Sequence, residues 1–468
     1  MMRDVEKVVI LGLARQGKAL AHFFVEQGVD VTVSDIREVA ALQAEMEALD
    51  LPVTYVLGEH PIALLDDCDL LCLSGGVPVD LPIVKEARRR GIPLSNDAQE
   101  FLKRCPAPVL GITGSAGKTT TTSLVGEMAR EAGYTTWVGG NIGNPLLNDL
   151  GEIKADDQVV MELSSFQLEL MDVSPHVAGV LNITPNHLDR HGTMDAYIEA
   201  KANIVTHQSD DDIAVLGYDE PNARALAERT SAQVRYFSGE QTVTAGAYLD
   251  DETLVLCRGG TCEPVCTREE IPLRGPHNVL NVLAAVALGD AIDVPVAAIR
   301  RAIKQFRGVE HRLEEVRRWH DVLWVNDSIA TAPERVLAAL DSFDEPLVLL
   351  AGGRDKDLPW EEFARNVVQR VRVLILFGEA ADLISGNVRR IWEGVGRMGA
   401  LQEIVRGETL TRAVDAAAQR VQSGDVVLLS PGGTSFDAYR DFAERGEHFR
   451  VLVNALGKDE TEKTTDET

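Results

Sequence analysis

Short apolar runs alternate with stretches of helical spacing along most of the chain. Val8–Leu11 is apolar and stops at Gly12, and Lys18 to Gln27 then carries its apolar residues at helical intervals. Val29 to Ser34 reads as a second strand ending at Asp35, and Leu70–Leu73 as another, ending at Ser74-Gly75-Gly76. Strands this short and this apolar, separated by helices, predict a parallel sheet covered on both faces.

The pattern breaks at Arg104-Cys-Pro-Ala-Pro108, because two prolines so close fit neither a helix interior nor a central strand. A new strand, Val109–Ile112, begins at once and runs into a Gly-rich turn, which places a domain boundary near residues 97–107. Val279–Ala291 and Ala297–Phe306 read as helices. After Arg307-Gly-Val-Glu-His-Arg312, new strands are expected at Val322–Val325, Leu347–Leu350, Val373–Phe377 and Val426–Leu429. The expected fold class is α/β in three domains: 1–98, 99–306 and 307–457, with a polar, disordered acidic tail over 458–468. No long internal repeat is evident.

The 468 residues suit roughly three domains. Lys and Arg total 46 against 73 Asp and Glu, a net charge of −27, which argues against nucleic acid and anionic membrane as partners. An anionic substrate must therefore be drawn in by local clusters of cations and backbone N–H groups. Six cysteines do not read as a disulfide framework, and the spacing of Cys257, Cys262 and Cys266 is not that of a zinc site. Met1 to Lys7 carries no secretory pattern and no apolar run reaches membrane-spanning length, so a cytoplasmic protein, by default a monomer, is expected.

Two stretches resemble nucleotide loops. Gly12-Leu-Ala-Arg-Gln-Gly17-Lys18 matches the first part of a phosphate-binding loop but has Ala19 where a metal-binding hydroxyl is needed. It is either a tight strand-to-helix turn or an anion site at a helix N-terminus, with Asp35 placed to accept a hydrogen bond from a ribose or base. Gly111-Ile-Thr-Gly-Ser-Ala-Gly-Lys-Thr-Thr120 is the stronger signal, between a strand and the helical Ser123–Ala132. Its glycines let N–H groups close on phosphate oxygens, Lys118 offsets phosphate charge, and the Thr119 hydroxyl suits Mg²⁺.

Phosphoryl transfer needs cations around the moving group, hence oxygen ligands at nearby strand ends. Val159–Met161 leads to Glu162. Taken alone, Glu162 would more often be a surface charge; its place after a strand makes it a candidate. Val177–Leu181 leads into Asn182-Ile-Thr-Pro-Asn-His187-Leu-Asp-Arg-His191, a polar loop on the edge where parallel sheets bind ligands. His187 and His191 lack the helix of a paired zinc site. Nothing in the pattern singles out Lys201, in the helical Tyr197–Val205. Farther on, three polar loops follow apolar strands and suggest one rim of a cleft: Asn326-Asp-Ser328, Gly352-Gly-Arg-Asp-Lys356 and Ser430-Pro-Gly-Gly-Thr-Ser435.

Taken in order, Ile112–Thr119, Gly139-Gly-Asn-Ile-Gly143, Glu162-Leu-Ser-Ser-Phe-Gln-Leu-Glu169, Asn182 with His187–Arg190, Gly275-Pro-His-Asn278 with Asn281, His311-Arg312, Asn326-Asp-Ser328 and Leu429–Ser435 resemble the Mur ligases over nearly the whole chain. The Glu162–Glu169 run is similar to that of the D-glutamate-adding branch. The resemblance implies a Rossmann-like N-terminal domain, a central P-loop ATPase domain with a parallel sheet and a C-terminal Rossmann-like domain. It implies an ATP- and Mg²⁺-dependent ligase acting in peptidoglycan precursor synthesis. ATP would turn the carboxylate of UDP-N-acetylmuramoyl-L-alanine into an acyl phosphate, which D-glutamate attacks.

By the same resemblance, Ser115, Ala116, Gly117, Lys118, Thr119, Thr120, Thr121, Asn278, Arg312 and Asp327 bind ATP. Thr119, Glu162, His187 and Lys201 serve the metal, with Lys118, Glu162, His187 and Lys201 catalytic and Lys201 carbamylated. Asp35, Arg37, Ser74, Gly76 and Asn141 would lie at the UDP-sugar, and Thr331, Lys356, Ser435 and Phe442 at the incoming glutamate. Two positions depart from the family: Ile329 stands where many relatives carry lysine, and Asn186 where many are acidic. The loss of the lysine at Ile329 leaves L-glutamate open beside D-glutamate. Another Mur-type or folylpolyglutamate-type ligase is the closest alternative, and a nucleotide-binding switch a more distant one.

Overall fold

The structure, a computed structural model, describes residues 5–356 and 358–457; the tail expected to be disordered lies outside them. Three sheets organise the chain. The first holds β1 (Lys7–Leu11), β2 (Asp30–Asp35), β3 (Thr54–Leu57), β4 (Leu70–Leu73) and β5 (Leu94–Ser95), all parallel, in the order 3-2-1-4-5. The reversal of order at β1 puts the Gly12 turn at the crevice where such sheets take ligands.

The second sheet holds β6 (Val109–Thr113), β7 (Thr136–Gly140), β8 (Gln158–Glu162), β9 (Val177–Val180), β10 (Ile213–Gly217), β11 (Gln233–Ser238), β12 (Gly246–Asp250), β13 (Thr253–Arg258) and β14 (Thr261–Thr267). Its order is 14-13-12-11-10-9-6-8-7, with β6 third from one edge and flanked by β8 and β9. The strands from β7 to β12 are parallel, and the two pairings β12–β13 and β13–β14 are antiparallel.

The β13–β14 hairpin corrects the reading of the cysteines. Register places Cys257 opposite Cys262, and the two form a disulfide with Cα atoms 4.1 Å apart. A spacing of five residues hid a pair that a tight turn brings face to face. The guanidinium of Arg300 donates to the carbonyls of Pro264 and Val265 on the edge strand.

The third sheet holds β15 (Glu314–Trp319), β16 (Val322–Asn326), β17 (Leu347–Gly352), β18 (Val371–Phe377), β19 (Glu403–Glu408) and β20 (Val426–Gly432), in the order 15-16-20-17-18-19. Among these strands, only β15 is antiparallel to its neighbour. β16, β17 and β20 are buried along their whole length, as strands covered by helices on both faces must be.

The chain divides into two compact units. The first unit contains both the first and the second sheets, and one apolar core runs through them from Val8 and Ile10 by way of Phe101 and Leu146 to Val159 and Met161. The helix Asp97–Leu102 joins the two sheets. Asn96 caps it through the N–H of Gln99 and also donates to Gln167 O at 2.8 Å. Gln167 in turn donates to the buried Asp97 carboxylate at 3.3 and 3.4 Å. Burial pushes Asp97 up to about 6, against the relief from Gln167. The second unit contains 273–276 and the chain from Arg307 on, built around the third sheet.

Candidate functional site

The stronger phosphate loop leaves the C-terminal end of β6 and enters the helix Lys118–Glu131. Gly117 has φ +84°, and a Cβ there would lie 2.1 Å from Asn281 Oδ1. Glycine is thus required twice, by backbone hand and by space. Asn281 Nδ2 donates to Asn278 Oδ1 at 3.0 Å, which brings Asn278 to the loop. The N–H groups of the first helical turn open towards any anion at this end.

Other donors of the loop are already spoken for. The N–H of Ser115 goes to Asn182 O at 2.9 Å and that of Ala116 to Asn182 Oδ1 at 2.9 Å, while Asn182 Nδ2 returns a bond to Ala116 O at 3.2 Å. Asn182 therefore splints the loop from the end of β9. Lys118 Nζ lies 2.8 Å from Gly114 O, folded over its own loop. Thr120 and Thr121 are buried, and the N–H of Thr121 is donated to Gly117 O at 3.0 Å.

β8 ends at Glu162, which is 1% exposed. Thr119 Oγ1 donates to its Oε2 at 2.8 Å and Asn141 Nδ2 to its Oε1 at 2.8 Å. Three of the sequence-derived residues thus meet at one carboxylate, two of them assigned to metal. Lys201 is 1% exposed behind the loop, with Nζ 3.1 Å from Thr113 Oγ1 and 3.0 Å from Gly114 O. Its ammonium is held well below the usual lysine range by burial first and by Lys118 second, against the pull of Glu162.

His187 is exposed and has φ +53°, with its ring 5.2 Å from that of Phe166. Phe166 also stacks on His191 at 5.3 Å, and Arg190 lies over it at 4.8 Å. Among the described residues no group of three His, Cys, Asp or Glu side chains is gathered as a metal cage. The donors that do converge, a threonine hydroxyl and a carboxylate beside a phosphate loop, are the hard oxygens that Mg²⁺ takes with its remaining positions left to phosphate and water. The set fits Mg²⁺ on that ground.

The weaker loop has a different occupation. Asp35, 4% exposed, accepts from the N–H of Leu13 at 2.8 Å and from Arg37 N, Nε and Nη2 at 3.0, 3.0 and 2.8 Å. Burial opposes its charge, but Arg37 and the Leu13 N–H outweigh it and hold the carboxyl at about 2. Ser74 is buried below Gly12. Arg15 crosses from this loop to the second sheet, donating to Gly143 O at 2.6 Å and Asn141 O at 3.0 Å. Arg190 reaches back to Gly76 O at 3.2 Å. The residues assigned to the UDP-sugar are therefore tied to the Glu162 cluster through Asn141.

In the second unit Asp327 directly follows β16, its N–H on Leu429 O at 2.8 Å. Ser430 Oγ donates to its Oδ2 at 2.7 Å and Leu313 N to its Oδ1 at 3.3 Å. Burial pushes Asp327 up to about 7, with Ser430 and then Arg312 acting against it. Lys356 Nζ is 3.4 Å from Thr331 Oγ1. Ser435 is buried, and Phe442, which opens the helix Phe442–Ala455, accepts at its carbonyl from Ser328 Oγ at 2.7 Å.

Comparison with known proteins places this arrangement. Residues 6–96 match the model of the Mur ligase MurD-like N-terminal domain, 112–289 that of the Mur ligase middle domain, and 311–433 that of the Mur ligase glutamate ligase domain. A UDP-N-acetylmuramoylalanine-D-glutamate ligase of Symbiobacterium thermophilum is 44% identical over 96% of this chain and 98% of its own. The chain belongs to the Mur ligase family. A second ligase of the same name, from Acetivibrio thermocellus, is 39% identical over 96% and 97% of the two chains. In fold, the chain is similar to UDP-N-acetylmuramate-alanine ligase of Thermotoga maritima, with a TM-score of 0.58, 20% identity and coverage of 96% and 99%.

For a Mur ligase of this kind, reading the sequence missed several residues that the fold brings to the site. Asn182 lay inside a motif but carried no role; its polar type at a strand end was the available signal. Arg15 sat in the weaker loop, and no local spacing points from there to Gly143. Tyr197, whose hydroxyl is 3.0 Å from Ser115 Oγ, reads in sequence as one apolar position of a helix.

Proposed function

We propose that this chain is the ligase that joins D-glutamate to UDP-N-acetylmuramoyl-L-alanine at the expense of ATP, in peptidoglycan precursor synthesis. The observation that carries the reading is the junction of the phosphate loop with Glu162 through Thr119, at 2.8 Å, in a chain matched by Mur ligase models in all three parts. Segments 1–98, 99–306 and 307–457 then serve the UDP-sugar, ATP and the amino acid. Net charge of −27 argues against a nucleic-acid partner, and among the described residues no helix is long and apolar enough to cross a membrane. We place the enzyme in the cytoplasm, acting as a monomer.

A carboxylate oxygen of the muramoyl-alanine attacks the γ-phosphorus of ATP. The bond from that phosphorus to the bridging oxygen breaks, and ADP leaves. Lys118 and the first-turn N–H groups offset the charge gathering on the phosphoryl oxygens. Thr119 and Glu162, with His187 and Lys201, would hold Mg²⁺, which would supply charge neutralisation. A deeply buried lysine whose ammonium form is disfavoured has its amine free to take up carbon dioxide, so burial of Lys201 supports the carbamate that the family resemblance implies. Asn278, Arg312 and Asp327 hold the rest of the nucleotide. The amine of glutamate, held by Thr331, Lys356, Ser435 and Phe442, attacks the acyl carbon. The tetrahedral adduct expels phosphate and loses a proton to leave the amide.

The test is phosphate release with ATP, Mg²⁺ and UDP-N-acetylmuramoyl-L-alanine, run with D-glutamate, L-glutamate and no amino acid. Release dependent on D-glutamate is expected. Release with L-glutamate alone would assign Ile329 to a different amino-acid choice, and release with neither would end the reading.

A further inference from the structure

The disulfide of the β13–β14 hairpin takes no part in the reaction above. Cys257 is 1% exposed, whereas Cys262 is exposed on the outermost strand. A third thiol, Cys266, is close in sequence but stands opposite Leu254, beyond a shift of register. Burial pushes that thiol up to about 11, which keeps it out of exchange. In the compartment proposed above thiols are kept reduced, and a disulfide there is as a rule a transient or sensing one. The exposed Cys262 is the half that an incoming thiolate can reach. The turn lets the bond form again: Gly259 and Gly260 have φ +56° and +88°, the left-handed pair that a two-residue hairpin turn requires. Reduced strands therefore return to the register that faces Cys257 and Cys262.

The bond is bracketed by charge. Arg258, next to Cys257, donates through Nη1 to Glu263 Oε1 at 2.6 Å, next to Cys262, and through Nε to Asp290 Oδ1 at 2.5 Å. Arg235 of β11 donates to Asp290 Oδ2 at 2.8 Å. Asp290 is buried near the end of the helix Pro276–Ala291. The same helix carries Asn278 and Asn281 at its start, and Asn281 abuts Gly117 of the phosphate loop. A second strut runs beside it. Arg300, on the carbonyls of Pro264 and Val265, is followed by Arg301, whose Nε and Nη2 donate to Glu131 Oε2 and O at 2.9 and 3.0 Å. Glu131 ends the helix that Lys118 begins. The hairpin thus grips both helices that meet at the phosphate loop.

We propose that Cys257–Cys262 is a reversible modification site, opened and closed by exchange with a dithiol–disulfide couple, and that its closed form tightens the phosphate loop on ATP through Arg258 and Asp290. In opening, a thiolate of the dithiol attacks the Cys262 sulfur. The S–S bond breaks, and Cys257 leaves with the electron pair and takes up a proton. The second thiolate of the reagent attacks the mixed disulfide, forms the reagent's own disulfide and releases Cys262, which also takes up a proton. Two electrons and two protons thus pass from the dithiol to the hairpin, and closing is the reverse. Without the covalent link the hairpin opens locally more often, and Arg258 leaves Asp290 each time it does. The proposal rests on the function given above only for its ATP readout.

The test takes the whole enzyme, oxidised with glutathione disulfide or reduced with dithiothreitol. Thiols alkylated after denaturation are counted by mass spectrometry; of six cysteines, four should react in the oxidised form and six in the reduced one. Reduction is expected to raise KM for ATP about fivefold and to quicken hydrogen exchange in the helix Pro276–Ala291. Cys262→Ser should behave as reduced enzyme under both reagents. Arg258→Met, with the bond intact, should raise KM for ATP as reduction does and respond no further to dithiothreitol. Six reactive thiols under both reagents overturn the proposal. So do oxidised and reduced forms with equal KM for ATP and equal exchange, while turnover with D-glutamate in either form upholds the parent function. Enzyme that releases no phosphate in both forms overturns the parent function, and the thiol count with helix exchange then decides this one.

Discussion

Replacing Asp97 by asparagine should leave the fold intact and change how its stability depends on pH. The carboxyl is 2% exposed where the first two sheets meet, and burial raises it to about 6. An unfolded chain releases the same proton near 3.9. Between about pH 4 and pH 6 the native state therefore keeps a proton that the unfolded state has lost. The native state binds more protons there, so stability is full below about pH 4 and falls as pH rises. At about 1.4 kcal/mol per unit over about two units, the loss comes to about 3 kcal/mol and levels off above pH 6. The amide of the Asp97→Asn variant has no such proton. Urea unfolding of both proteins at about pH 4.5, 5.5, 6.5 and 7.5 should show the variant gaining about 2 kcal/mol on its parent across the series, since part of the loss is already present at pH 4.5. Asp327, raised to about 7 in the other unit, contributes alike to both proteins and cancels. A difference that stays constant with pH would refute the argument, because it would mean that Asp97 is ionised throughout.

Asn182→Ala removes the splint on the phosphate loop; KM for ATP should rise about tenfold and stability fall by about 1–2 kcal/mol, read by kinetics and thermal melting. Gly117→Ala meets both a left-handed φ and Asn281, and should abolish nucleotide binding in calorimetry at a stability cost of about 1–3 kcal/mol. Glu162→Gln keeps an acceptor for Thr119 but removes the charge, so the Mg²⁺ concentration for half-maximal turnover should rise while the melting temperature holds within a few degrees. Arg15→Ala cuts the link to Asn141 and Gly143 and should raise KM for the UDP-sugar more than that for ATP.

Much of this architecture could be read directly from the residues. Val8–Leu11, Val109–Ile112 and Val426–Leu429 are strands because a run buried on both faces is continuously apolar, and that pattern is local. The phosphate loop was legible for the same reason: its glycines, Lys118 and Thr119 are adjacent in sequence. Lys201 was not, because a helical lysine looks the same whether its amine meets water or Thr113 and Gly114, 88 and 87 residues away. Gln167 shows the opposite failure. It lay in a motif that suggested chemistry, yet its side chain completes a capping box with Ser164 and supports Asp97. The Pro106 and Pro108 break marks a turn, but nothing local to it tells that Phe101 and Leu146 share one apolar core with strands on both sides. Residue type signals a turn; it does not report which apolar faces later meet.

The nine-stranded sheet must end somewhere, and how it ends at β14 bears on whether the enzyme stays in solution at high concentration. An outermost strand offers bare carbonyls and N–H groups to any passing chain. Here Pro264 has no N–H to offer, and Arg300 occupies the carbonyls of Pro264 and Val265 with its guanidinium. The Cys257–Cys262 link keeps the hairpin from slipping into a register that would free them. The margin is thus shut against strand recruitment by a proline, an arginine and a covalent staple, and growth of intermolecular sheet is blocked on this side of the molecule.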